Sequence, residues 1–442
     1  IVEQAEAFEA DGVLMSWNFA AGMEASENVA LGATVSYLSG SYDQRFAWAA
    51  DAEDMPPDYD GTVPRERFAA EKATEVWSRS VGHGCSSVTL ADGLLYTMGN
   101  VDDRDIVYCL EADTGRTRWT FDYPCDRAAR LYDGGPNSTP TVADGRLYTL
   151  SRKGHIFCLD ARTGEQVWQF SAEKWQPKGA WWGFSDSPVV RGDKVFFNVG
   201  DAGLALDRET GAVSWSSDGA AAAYATIRPV PASAGVADRP LLVAQTCEAV
   251  HLLDPATGES LVDGSLEWTR RKGNCNGVTP LVHGGHIYLM HSRFGLGKIG
   301  LRDGRWQEEW LCKEARHGSY EWHTFNRYAV RASYLFMVTG DARRDTVLMC
   351  INLESGKVEW QRPHEFANLI AVGDALISLS QSGKLTWGKL DDIQYTRTHS
   401  SDVLSSKGSP RQLGLYWPHP VYHRGRLYAR TTKGALTCLR LE

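Results

Sequence analysis

A chain of 442 residues with 46 Lys+Arg against 55 Asp+Glu carries a formal charge of -9 and has no basic cluster. That excludes nucleic acid or an anionic membrane surface as a natural partner. The hydrophobic fraction of 43%, with 16 Trp and 17 Tyr, is ample for a core, and no apolar run reaches the roughly 20 residues of a membrane-spanning helix, so small molecules, glycans and proteins remain as partners.

The chain opens at Ile1 without a methionine, so a secretion leader could have been removed. Residues 1–72 stand outside any repeat. Their Ala/Glu-rich stretches and the run Met55-Pro56-Pro57-Asp58-Tyr59-Asp60 suggest a partly helical N-terminal extension lying against the rest.

From Ser86 onward one pattern recurs about every 48 residues. Its clearest copy is Ser138-Thr139-Pro140-Thr141-Val142-Ala143-Asp144-Gly145-Arg146-Leu147-Tyr148, followed by Cys158-Leu159-Asp160-Ala161-Arg162-Thr163-Gly164-Glu165-Gln166-Val167-Trp168. Short Val/Leu/Tyr-rich runs broken by Asp-Gly or Lys-Gly pairs read as an antiparallel meander, because those pairs supply the positive φ angles of tight hairpins. Eight units follow: Ser86 to Phe121, Ser138 to Phe170, Ser187 to Ser217, Thr226 to Trp268, Gly277 to Trp310, Asn326 to Pro363, Asn368 to Ser400, and Trp417 to Glu442. The last stops after its third strand, and the missing Trp-bearing strand lies at the other end of the chain, in Glu75-Val76-Trp77. Pairing that strand with the final sheet removes an exposed edge. The expected architecture is all-β: over 73–442, an eight-bladed β-propeller of four-stranded antiparallel blades, closed by an N-terminal strand that joins the last blade.

In four units Trp follows a Thr-Gly or Ser-Gly turn by four residues, as in Gly115 to Trp119, Gly164 to Trp168, Gly211 to Trp215 and Gly356 to Trp360. These indoles are expected to cover the joints between sheets, each worth at most about 4 to 6 kcal/mol if wholly buried. Of nine cysteines, Cys109, Cys158, Cys350 and Cys438 share one register just before Leu or Ile and read as core thiols. Cys85, Cys125, Cys247, Cys275 and Cys312 follow no pairing pattern.

The run Asp113-Thr114-Gly115-Arg116-Thr117-Arg118-Trp119 and its copies resemble the tryptophan-docking repeat of the pyrroloquinoline quinone (PQQ)-like propeller superfamily. The resemblance covers residues 73 to 442. Tyr59-Asp60-Gly61-Thr62-Val63-Pro64 and Gly82-His83-Gly84-Cys85-Ser86-Ser87 resemble the lead-in segment of a branch of bacterial proteins without an assigned role. Members of the superfamily include quinoprotein alcohol and sugar dehydrogenases and the propeller lipoprotein of outer-membrane β-barrel assembly, which implies a periplasmic or secreted location. For a dehydrogenase the resemblance would imply PQQ on a Trp floor, a calcium held by acidic and amide groups, and an aspartate base. None of these is matched by motif, and neither an adjacent Cys-Cys pair nor Cys-x-x-Cys-His occurs.

Loops leading into the innermost strands of a propeller converge on the mouth of its channel. Aligned there, His83, Cys275, His323 and His364 share one column, with His419 nearby, an arrangement that could hold zinc, copper or calcium. The same column elsewhere holds Gly135, Gly183 and Leu415, and the plainer reading is a polar funnel whose histidines bond to water and neighbouring carbonyls. A second group, Trp182, Asp186, Arg228, Asn276 and Asn326, has the aromatic, carboxylate, guanidinium and amide groups of a sugar or quinone site. Gly295-Leu296-Gly297-Lys298-Ile299-Gly300 spells a dinucleotide fingerprint but sits in a hairpin without a following helix. The leading expectation is a binding or scaffold propeller with a polar ligand site at the channel mouth. The alternatives are a quinoprotein-like alcohol or sugar dehydrogenase, or a metal-dependent carbohydrate-active enzyme using the mouth histidines.

Overall fold

The computed structural model describes two two-residue strands, Glu6–Ala7 and Trp17–Asn18, and residues 68–442 except 130–132, 176–182, 220–221, 223, 233–235, 237, 247–248, 263–277, 292–293, 317–327, 341–345, 392 and 406–415. The expected helical stretches of the extension lie outside the described residues.

Each unit folds as the hairpin signals dictate. In blade 2, Thr141–Ala143, Arg146–Leu150, His155–Asp160 and Gln166–Ser171 pair in chain order, and the first turn is Asp144-Gly145 at φ 47° and 71°. Only a residue tolerant of positive φ fits both places, and the resulting type I′ turn matches the strand twist. Eight such sheets form the propeller, seven of them four-stranded. Blade 4 shows three strands, because the outer strand expected at Trp268 falls among residues not described. First strands touch across the seams of blades 1–2, 2–3, 4–5, 6–7 and 7–8 and so line the axis.

The ring closes as the displaced strand requires. Ala73–Ser80 pairs antiparallel with Ala435–Leu441 and sets Trp77 opposite Cys438. The N–H groups of Glu71 and Lys72 donate to the Glu442 carbonyl at 2.9 and 2.8 Å, and the Glu442 N–H returns to Lys72 O at 3.0 Å.

One register explains both the cysteines and the tryptophans. Outer-strand Trp119, Trp168 and Trp360 lie opposite Cys109, Cys158 and Cys350, beside a register shift at the following residue. A small thiol opposite a large indole keeps the sheet face filled without a clash. Each indole then reaches the next blade rather than its own Thr-Gly turn. Trp77, Trp119, Trp168, Trp215 and Trp310 lie on Gly115, Gly164, Gly211, Gly258 and Gly356, while their Nε1 atoms donate to Ala112, Ala161, Arg208, Pro255 and Glu354 carbonyls at 2.9 to 3.2 Å. Trp168 and Trp215 are buried, but Trp77, Trp119, Trp310 and Trp360 are half-buried, so the full-burial energy overstates them. Blade 7 inverts the pair: Trp387 takes the inner place opposite His399 and donates to Ala70 O at 2.7 Å.

Candidate functional site at the channel mouth

The lead-in segments are tied into a belt by their hydroxyls. The N–H groups of Ser87, Thr139, Ser187 and Thr226 donate to Thr139 Oγ1, Ser187 Oγ, Thr226 Oγ1 and Thr279 Oγ1 at 3.0 to 3.1 Å. On the other side Ser87 Oγ donates to His419 O at 2.6 Å, and Asn368 Nδ2 to Tyr416 O and Pro418 O at 3.0 and 3.3 Å. Six consecutive seams, from blades 7–8 round to 4–5, are fastened this way, so these groups serve the ring.

Just inside the belt, in two blades a side chain accepts from a second-strand N–H. In blade 1 the Ser86 hydroxyl accepts from Met98 N at 3.2 Å. In blade 3 Asp186 Oδ2 does the same for Asn198 N at 2.6 Å, leaving its second oxygen buried and unpartnered. Burial pushes Asp186 up to about 7, against the pull of the Asn198 N–H. Asn198 itself crosses to blade 4, its Nδ2 donating to Ala225 O and Gln245 O at 2.7 and 2.9 Å. Arg430 occupies the same register in blade 8 and crosses to blade 1, where its Nη1 reaches Ser86 O at 2.9 Å and the Met98 carbonyl.

A further polar group fills the seam of blades 1 and 2. Asn100 Nδ2 donates to Asp105 Oδ1 and Cys125 O, each at 2.8 Å, and burial raises Asp105 to about 6. Tyr123 packs edge-on against His155, and Ser151 Oγ meets His155 Nδ1 at 3.2 Å.

Of the sequence-derived candidates, Trp182, Asn276, Asn326, His323 and Cys275 lie outside the described residues. Asp186 and Arg228 are both buried, at 1% and 8% exposed. They flank the Ser187–Thr226 bond on adjacent blades. The three described histidines occupy separate anchorages. His83 exchanges backbone bonds with Asn100 at 2.9 and 2.7 Å, His364 N–H donates to Thr346 O at 3.0 Å, and the His419 carbonyl takes the Ser87 hydroxyl. Among the described residues no group of three His, Cys, Asp or Glu side chains stands close enough to hold a metal ion. Sequence reasoning passed over Arg430, Asn198 and Asp105. A usable signal existed for the first two: their column holds Met98, Leu150 and Met290 in blades 1, 2 and 5, and the polar exceptions Asn198, Gln245 and Arg430 stand out against them.

An eight-bladed propeller with a hydroxyl-laced mouth defines a broad class of binding and catalytic proteins. Within it, the family model described as outer membrane protein assembly factor BamB matches residues 60–177 and 103–362, and the chain belongs to this PQQ-like propeller family. The assembly factor BamB of Yersinia pestis is 24% identical over 372 residues, 76% of this chain and 84% of the relative. The 1-butanol dehydrogenase (quinone) of Thauera butanivorans is 32% identical over 107 residues, 22% of this chain but 15% of that enzyme. The chain thus spans under a fifth of the length of that relative. A solved europium-containing methanol dehydrogenase shares the fold at a TM-score of 0.62 and 12% identity, over 84% of this chain and 93% of that one.

Proposed function

We propose that the protein is an extracytoplasmic binding or scaffold propeller, periplasmic or secreted, whose small-molecule, glycan or protein partner engages the channel mouth. The observation that supports this is a concentration of buried, unpartnered polar atoms at that end: Asn100 Oδ1, Asp186 Oδ1, Asn198 Oδ1, His83 Nδ1 and Arg430 Nε. Native interiors leave few such atoms open, because each costs about 1–3 kcal/mol. Trp182, Asp186, Arg228, Asn276 and Asn326 are the residues assigned to the contact. Coverage adds support, since the chain aligns with 84% of an assembly factor and 15% of a quinone dehydrogenase.

The 32% identity to the dehydrogenase segment favours a second reading, a quinoprotein-like alcohol or sugar oxidoreductase. Metal analysis of protein purified without chelator separates the two, with the scaffold reading expecting less than one equivalent of zinc, copper or calcium. A full equivalent that is lost in His83→Ala overturns it, as does dye-linked oxidation of any alcohol or sugar after adding PQQ with calcium.

A further inference from the structure

The sector of the mouth where blade 8 meets blade 1 is equipped to receive an anion. Arg430 enters it at 1% exposure. Its Nη1 donates to Ser86 O at 2.9 Å, to Thr97 Oγ1 at 2.8 Å and to the Met98 carbonyl, and its Nη2 to Gly82 O at 3.0 Å. Every one of these acceptors is neutral, and the equally buried Nε has none. A guanidinium taken out of water with no carboxylate beside it bears a desolvation cost that neutral acceptors only partly offset.

The neighbours deepen the imbalance. Arg127, Lys433 and Arg430 all act on His83, against the single carboxylate of Asp133, and that carboxylate already takes the Thr432 hydroxyl at 2.7 Å. His83 Nδ1 is buried without a partner. Burial holds the Cys85 thiol protonated, up to about 12. The groups left open are a guanidinium N–H and an imidazole nitrogen. The same cations repel the metal ion that a histidine arc would hold, whereas a compact negative group would compensate Arg430 and accept from the donors around it.

We propose that this sector binds a small oxyanion, a carboxylate or phosphate group, between Arg430, His83 and Lys433, and that the bound group strengthens the closure of the ring. The inference deepens the mouth reading above and rests on it.

The test uses the full chain in inorganic phosphate, in acetate and in chloride at equal ionic strength and pH. Thermal unfolding should shift upward saturably in phosphate or acetate over chloride, as selective binding to the folded state demands. Lys433 is exposed, so Lys433→Ala keeps the fold, and it should lose most of the shift, as should His83→Ala. Equal unfolding temperatures in all three salts overturn the proposal, and so does a shift that both variants retain in full. Either result leaves the mouth reading to be judged separately by its own metal and oxidation assays.

Discussion

Changing Gly164 to Ala tests the contact that joins one blade to the next. Two penalties add at this site. Gly164 sits at φ +78°, where a Cβ costs about 1–2 kcal/mol. A Cβ there would also stand 2.6 Å from Trp119 Cδ2, and forcing a packed indole aside costs about 1–3 kcal/mol more. Gly145 supplies the control, since its φ is +71° and nothing lies within 4 Å of its would-be Cβ. Gly145→Ala should therefore cost about 1–2 kcal/mol and Gly164→Ala about 2–5, by urea unfolding followed with both far-UV circular dichroism and fluorescence. Repeating both changes in a Trp119→Ala background should erase the excess, because the group being displaced has gone. An excess that is absent, or that survives the loss of Trp119, refutes the claim that the indole of blade 1 packs on the turn of blade 2.

Asp186 makes a pH prediction whose sign follows from burial, which raises it to about 7 from the ordinary carboxylate range. The folded state holds this proton more tightly than the unfolded one, so the residue favours folding in acid, and that advantage is lost as pH rises from about 4 to about 7. Asp186→Asn should be more stable than the parent at pH 8, by at most about 4 kcal/mol, with the gap closing toward pH 4; a gap of constant size contradicts the burial argument. The thiols Cys109, Cys158 and Cys350, each 0% exposed and pushed by burial up to about 12, should escape iodoacetamide at pH 8 until denaturant is added, as peptide mass spectrometry would show. Labelling of the native protein at these sites would place them outside the core.

The architecture was legible because its signals recur. Asp-Gly turns, the Cys register and the Trp spacing each repeat with the blades, and the truncated last unit pointed to Trp77. Blade 7 was harder to read, since Trp387 and His399 exchange inner and outer places and no Thr-Gly-Trp spacing survives. The direction of the indoles was also hidden: spacing within a unit ties Gly115 to Trp119, whereas the twist between sheets delivers Trp77 to Gly115. At the mouth, a shared register marks equivalent positions, and among the described residues His83, His364 and His419 form no metal-holding group. Arg430 and Asn198 escaped notice because a residue in a largely buried column reads as core until its inter-blade acceptors are seen.

The closed ring is the claim on which the mouth depends, and a cysteine pair tests it most directly. Ser78 and Thr437 are paired partners across the closing seam, with their hydroxyl oxygens 3.0 Å apart, so Ser78→Cys with Thr437→Cys should form a disulfide on mild oxidation, identified as one cross-linked peptide. The same double variant left fully reduced, or cross-linked only between molecules, would mean that the N-terminal strand does not complete the last blade.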